Sequence, residues 1–322
     1  MKLRTSSICR LGLFVLALAA LLVYRVTSAR SAYAAFPGSD GRITFSRFNP
    51  AIGDFQIFAA NPDGSHEIQL TTVPSEISDW SPDGSKIALD FFDATSGNIA
   101  TINPDGSGFV QLTHEQNDVI VEPAWSPDGT RMAVARPFAD HPGIFIIDAT
   151  TGAILSQITA NPYGWFDGEP RWSPDGQWIA FDRLKKGVRR TDLVAAFIVR
   201  SDGTGLRQLT SWGRQGQYPD WSPDGSKIVI TSRSEPSAPA SIYTIDPDGS
   251  GLKVVIKNTG IAAFDHARWS PDGIKLVFDG SPDFRHLQAG LWTVDADGSN
   301  LTQIISGPPN PSFPAWGTHP LQ

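Results

Sequence analysis

Two carboxylates, an imidazole and a phenol stand at one fixed offset in this sequence. Glu122, Glu169, Tyr218 and His266 each lie three residues before a tryptophan, and Ile77 and Phe313 complete a series of six. If those six positions share one circle, the acids could hold a cation or hydrogen-bond a polar ligand. Two carboxylates can also act as acid and base on a glycosidic bond, at separations that only a fold sets. Asp167, Asp265 and Trp165 are close by in sequence and join the candidate set. The competing reading is that any wet channel collects polar residues without a ligand.

The tryptophans supply the frame. Trp-Ser-Pro-Asp-Gly occurs five times, opening at Trp80, Trp125, Trp172, Trp221 and Trp269, at steps of 45, 47, 49 and 48 residues. A worn sixth copy, Pro314-Ala315-Trp316-Gly317, follows 47 residues later. A fixed period of this length is the signature of a repeat architecture. Ser-Pro-Asp-Gly reads as a type I turn, with Pro presetting φ and Gly tolerating a positive one. A β-rich run follows each turn, such as Lys86–Leu89 or Trp178–Phe181, so each copy predicts a hairpin. A second hairpin turn follows in each repeat, for example Asn103-Pro104-Asp105-Gly106 or Pro247-Asp248-Gly249, and its last strand often ends in Leu-Thr. Four short antiparallel strands per repeat make one propeller blade. The tryptophans themselves, Trp316 included, recur as structural residues that pack blade on blade.

Asp40–Phe45 matches the half of the motif after the turn, and Phe55–Ala59 and Glu67–Thr71 supply two further strands. This segment lacks a first strand, whereas Pro314-Ala315-Trp316 is a first strand without the rest. Together they make one blade. The expected fold is an all-β, six-bladed propeller of four-stranded antiparallel blades, closed by pairing the N-terminal strands with the C-terminal strand. The domain spans 35–322, with blades at about 77–113, 122–159, 169–210, 218–256, 266–305, and 313–317 joined to 40–71. They are numbered one to six in that order below.

The pentapeptides, the Asp-Gly turns and the Leu-Thr strand ends resemble the TolB family of six-bladed propellers, over about residues 40–316. That resemblance implies a binding role in the bacterial envelope. TolB also carries a separate N-terminal α/β domain, for which residues 35–40 leave no room, so the Tol role does not simply transfer. Related propellers also serve as lids of prolyl-oligopeptidase-type hydrolases, but Gly-x-Ser-x-Gly is absent here.

Residues 1–34 read as a signal peptide or an N-terminal anchor. Lys2, Arg4 and Arg10 precede an apolar run from Leu11 to Val23, and Ala32-Tyr33-Ala34 fits a small-x-small cleavage site. Cys9 is the only cysteine, so the mature chain would hold no disulfide. Without the five basic residues of that segment, 21 basic residues face 33 acidic ones, a net charge of −12. An acidic surface of this kind excludes nucleic acid as the expected partner. The expected location is exported, periplasmic or extracellular, with membrane contact only through an uncleaved N-terminus.

The two tight turns of every blade fall on one face. The other face carries the second-to-third connections and the inter-blade links, which differ between repeats, and binding residues concentrate on such loops. Its expected loop aromatics are Tyr163, Trp165, Phe166, Trp212 and Phe264, and Arg183–Arg190 is its one basic run. Asp246–Gly249 and Asp295–Gly298 resemble the start of a calcium loop but lack its later ligands and read as turns. His66, His114, His141, His286 and His319 show no ligand spacing and read as surface residues. The expectation is a monomeric, non-catalytic scaffold that binds a protein or a polar ligand such as a glycan on the variable face. It names no catalytic residue, cofactor or metal. The alternative is a polysaccharide-active or metal-dependent enzyme with its site at the channel mouth.

Overall fold

Each Trp-Ser-Pro-Asp-Gly turn is locked by its own side chains. In blade one, the Gly84 N–H donates to the Ser81 carbonyl at 2.9 Å, and Gly84 takes φ +67°. The Ser81 hydroxyl donates to Asp83 and accepts the Lys86 N–H, while Asp83 accepts the Ser85 N–H. The same serine–aspartate bond recurs from Ser126, Ser173, Ser222 and Ser270. These contacts lie within five residues, so every copy of the motif makes the same hairpin wherever it falls.

The computed structural model describes residues 38–138, 142–162, 164–185, 193–233, 240–257, 263–281 and 290–318. The expected leader, Tyr163, His141, His286, His319 and most of the Arg183–Arg190 run lie outside them. The described strands form six four-stranded antiparallel sheets. Blade one runs Ser78–Trp80, Ile87–Phe92, Gly97–Ile102, Val110–Gln111, and the next four blades repeat this order. Blade six pairs Pro311–Trp316 with Ile43–Asn49, so Ile43 faces Trp316 and Thr44 faces Ala315. Gly41 and Gly317 continue the ladder with backbone bonds of 2.8 and 2.9 Å. The chain ends thus share a blade, and Pro311–Trp316 covers the edge that Ile43–Asn49 would otherwise leave open to another chain, while the outer edges stay short.

The fourth strands are short, which would leave third-strand amides unpaired. The threonine after Leu, or after Ile158 in blade two, fills the gap: Thr71, Thr113, Thr159 and Thr210 hydroxyls accept the N–H of Ile57, Ile99, Ile144 and Ala196. The core lies between blades. Six apolar clusters each span one blade interface, and each contains the motif tryptophan of its second blade. Trp80, for example, packs among Ile57, Leu70 and Ala315 of blade six and Ile87 and Leu89 of its own. At roughly 25 cal/mol per Å² of buried apolar area, these indoles are major terms in holding blade to blade. Central strands are covered on both faces, as Gly97–Ile102 shows by being buried throughout.

Candidate functional site

The innermost strands carry the candidate ring. Five of them contain a register break: between Val121 and Ala124, Gly168 and Arg171, Gln217 and Asp220, Asp265 and Arg268, and Ser312 and Ala315. In those five strands the residue three before the tryptophan sits in the bulge, whereas Ile77 of blade one precedes a strand that pairs without a break. Glu122, Glu169, Tyr218, His266 and Phe313 all adopt left-handed backbone, with φ of 58°, 51°, 53°, 51° and 52°. Such a conformation costs a non-glycine residue about 1–3 kcal/mol, so surrounding contacts must hold it. A bulge re-aims one side chain out of the alternating pattern. Here it turns a polar or aromatic group from five of the six blades toward the channel.

Acceptors from the second strands hold these bulges. Asp90 Oδ1 accepts the N–H of Glu76 and of Ile77 at 3.0 and 2.8 Å, and its Oδ2 accepts that of Glu122 at 3.3 Å. Asp182 Oδ2 accepts the Tyr218 N–H at 3.2 Å. In blade two that strand carries Ala135 where its neighbours carry Asp, and Glu122 Oε2 takes over, accepting the Glu169 N–H at 2.6 Å. In blade five, Asp279 instead receives His266 Nδ1 at 2.8 Å.

The side chains then meet one another. The His266 ring lies between Tyr218 and Phe313, with centroids 3.9 and 4.0 Å away. Glu169 is buried and accepts a 2.7 Å bond from Arg268 Nη2, across two blades, with Arg171 Nη2 at 3.5 Å. Both arginines are buried and stand directly before their motif tryptophans. The same offset gives Asp79, Ala124, Asp220 and Ala315 in the other blades. Asp79 and Asp220 accept the N–H of Trp125 and Trp269 from the next blade, at 2.8 and 2.9 Å.

Burial dominates the electrostatics. It pushes Asp90 and Asp182 up to about 7, with the Glu169 charge adding to the second. It drives Glu122 well above the usual carboxylate range, again with help from Glu169. Burial alone would raise Glu169 too, but Arg268 and Arg171 hold it below its ordinary value. For His266, burial favours the neutral ring, yet the Asp279 charge and hydrogen bond outweigh it and raise the pKa. Asp265 rises to about 6 through burial and the Asp279 charge. The result is one anionic glutamate clasped by two guanidiniums, beside carboxyls that resist ionising and an imidazole that favours its charged form.

Other candidates fall elsewhere. Trp165 and Phe166 are not in a loop: they begin the eight-residue first strand of blade three, Trp165–Trp172, and pair with Lys185 and Leu184. Trp165 packs edge-on against Trp212 at 5.8 Å. Arg183 is not part of a solvated tip. It is buried in the second strand, gripping Asp167 through two bonds of 2.6 and 2.7 Å. Asp167 and Trp165 therefore belong to a local cluster built on Arg183. Phe264 is also a strand residue, buried edge-on against Phe278. Among the described residues no three His, Cys, Asp or Glu side chains are arranged to hold a metal ion. Among them, too, no helix is long and apolar enough to cross a membrane.

The model of the TolB beta propeller domain family matches residues 25–320. The chain is similar to the uncharacterized peptidase YuxL of Bacillus subtilis, 31% identical over 123 residues, which cover 35% of this chain and 17% of that protein. It is 27% identical over 293 residues to an uncharacterized protein of Agrobacterium fabrum, covering 87% of this chain and 90% of the other. Among solved structures, TolB from Acinetobacter baumannii superposes with a TM-score of 0.69 at 20% identity, over 88% of this chain and 67% of that one. The match to the peptidase thus spans about one-sixth of its length, whereas the Agrobacterium protein is matched along most of its own.

Proposed function

The chain belongs to the TolB beta-propeller family, and from that premise we propose that it is an exported, non-catalytic, monomeric scaffold. It binds a protein, or a polar ligand such as a glycan, on its variable loop face. One observation carries this reading: the chemical groups at the channel are committed to each other. Glu169 is held by Arg268 and Arg171, His266 by Asp279 and its two flanking rings, and Glu122 by the Glu169 amide. Acid–base chemistry needs a group within reach of a substrate proton, and each of these already serves a neighbour.

The loop face offers unlike side chains on a rigid frame. Phe138 is 70% exposed there, and Phe48 at the end of its strand and Ile52 in the following loop are exposed on blade six. Arg136 is fixed by Glu115 and Asp118, presenting a set charge pattern beside Phe138. The Gly38 N–H bonds to the Pro271 carbonyl among the tight turns, so the first described residue lies on the opposite face. Rigid aromatic and paired charged groups give contact area at low entropic cost.

The test is capture from envelope extract, alongside a glycan array, with the immobilised protein and two variants. Phe138→Ala with Arg136→Glu is expected to abolish a captured partner, and Asp105→Asn on the tight-turn face to leave it. A partner equally sensitive to both, or turnover of an arrayed glycan, would overturn the reading. Export is tested separately: N-terminal sequencing of native protein should begin after Ala34.

A further inference from the structure

One residue per blade, the one before each motif tryptophan, lines a cavity on the channel axis: Asp79, Ala124, Arg171, Asp220, Arg268 and Ala315. The cavity measures about 50 Å³. At roughly 10–15 Å³ per water on the same measure, it holds a few waters or one small ion. Blades two and five are opposite in a ring of six, as are three and six. Each arginine therefore faces an alanine, and those two methyl groups leave the space.

The groups around that space are unbalanced. Arg171 and Arg268 are 5% and 6% exposed, and the Nε–H of each is buried with no protein acceptor. Their Nη atoms are occupied, by Glu169 and by the carbonyls of Pro170, Ala267 and Tyr218. The indole N–H of all six motif tryptophans is likewise buried without a protein acceptor, and Trp125, Trp172, Trp269 and Trp316 line the cavity. Acceptors are scarcer. Asp79 and Asp220 each accept a backbone N–H from the next blade's tryptophan and no hydrogen bond joins either to a guanidinium, although the charges of both arginines act on them. Two buried like charges also stand together: burial first, then the Arg171 charge, lowers the Arg268 pKa. Unmet buried donors carry the full cost of desolvation until something accepts from them.

We propose that this cavity binds a small oxyanion, a carboxylate or a tetrahedral oxyanion, between the Nε edges of Arg171 and Arg268. Such an ion brings several acceptors in a volume of this size and separates two like charges. It forms charge-assisted bonds, the stronger class of hydrogen bond. Bound there, it ties blade three to blade five beneath Glu169. The site lies inside the channel and is independent of the loop-face reading.

The experiment is calorimetric titration of the full chain with sodium sulfate and, separately, sodium acetate, at fixed ionic strength in chloride. One-to-one saturable binding is expected. Sulfate alone identifies a tetrahedral oxyanion, acetate alone a carboxylate. Ala124→Leu fills the cavity without altering charge and should weaken binding at least tenfold. If that variant does not fold, Arg171→Lys, which keeps the charge and removes the Nε–H, should do the same. Wild type that takes up neither anion overturns the proposal, and so does binding that the folded variants leave intact, since waters would then suffice.

Discussion

Replacing Asp182 by asparagine isolates the electrostatic strain at the channel. The carboxyl sits at about 7 against an ordinary 3.8, mainly because it is buried, with the Glu169 charge adding to it. The folded-state value is raised, so folded protein holds the proton more tightly. The group's contribution is fully present below pH 3.8 and is lost as pH climbs through 7. Three units at about 1.4 kcal/mol each make about 4 kcal/mol of stability lost between pH 4 and 8. Asparagine keeps an oxygen for the Tyr218 N–H, a 3.2 Å bond in wild type, and never ionises. Asp182→Asn should match wild type within about 1 kcal/mol at pH 4.5 and exceed it by about 2–4 kcal/mol at pH 8. At about 2 °C per kcal/mol for a chain of this size, that is a gain of about 4–8 °C in melting temperature at pH 8. Melts at pH 4.5, 6 and 8 provide the check. A difference that does not change with pH, or a variant less stable at pH 8, would refute the argument. Asp90→Asn should gain less, because Asp90 uses both oxygens on three backbone N–H groups and asparagine keeps one acceptor.

Further outcomes follow from neighbouring contacts. Arg268→Met leaves Glu169 buried without its 2.7 Å partner and should cost about 3–5 kcal/mol in urea unfolding; adding Glu169→Gln should restore part of it. His266 should titrate above 6.5 by NMR, and Asp279→Asn should lower it. Its stabilising share is present below pH 6.5 and fades as pH rises through the raised value, so a titration below 6.5 would contradict the assignment. Gly317→Ala would place a Cβ 2.5 Å from the Trp80 ring and should cost about 1–3 kcal/mol in thermal melts. Gly213→Ala, whose Cβ meets nothing within 4 Å, should stay within about 0.5 kcal/mol.

The blades were legible because their instructions are local. Ser81, Asp83 and Gly84 fold their turn within five residues, and the next four copies do the same. Closure was legible because Asp40–Phe45 and Pro314–Trp316 are complementary fragments of one repeat. The offset of three also led to residues that touch, such as Tyr218 with His266 and Glu122 with Glu169. The bulge behind it was missed. Its signal is proline at 123, 170, 219 and 314, one residue after the turned-in position in four blades. Proline lacks the ladder N–H and is tolerated at a bulge or an edge. The Glu169–Arg268 pair was not legible, since 99 residues separate its partners and only ring closure joins them. Trp165 was misplaced for a different reason. Blade three extends its first strand to eight residues where blade one uses three, carrying a loop-like segment into the sheet.

Glu169 joins two layers of the channel, and this bears on what the face above can do. Its backbone N–H is bound by Glu122 in the upper ring, while its carboxylate reaches Arg171 and Arg268 in the ring next to the tryptophans. A ligand that drew Glu169 upward would strip both guanidiniums of their shared counter-ion. Leaving such a buried charge unpaired costs about 3–5 kcal/mol, more than a single surface hydrogen bond returns. The upper channel ring therefore resists any ligand that would have to displace Glu169. On the proposed function, recognition falls to the loops above it, where Phe138 and the partly exposed Arg136 with its two acids would meet a partner without disturbing a buried ion.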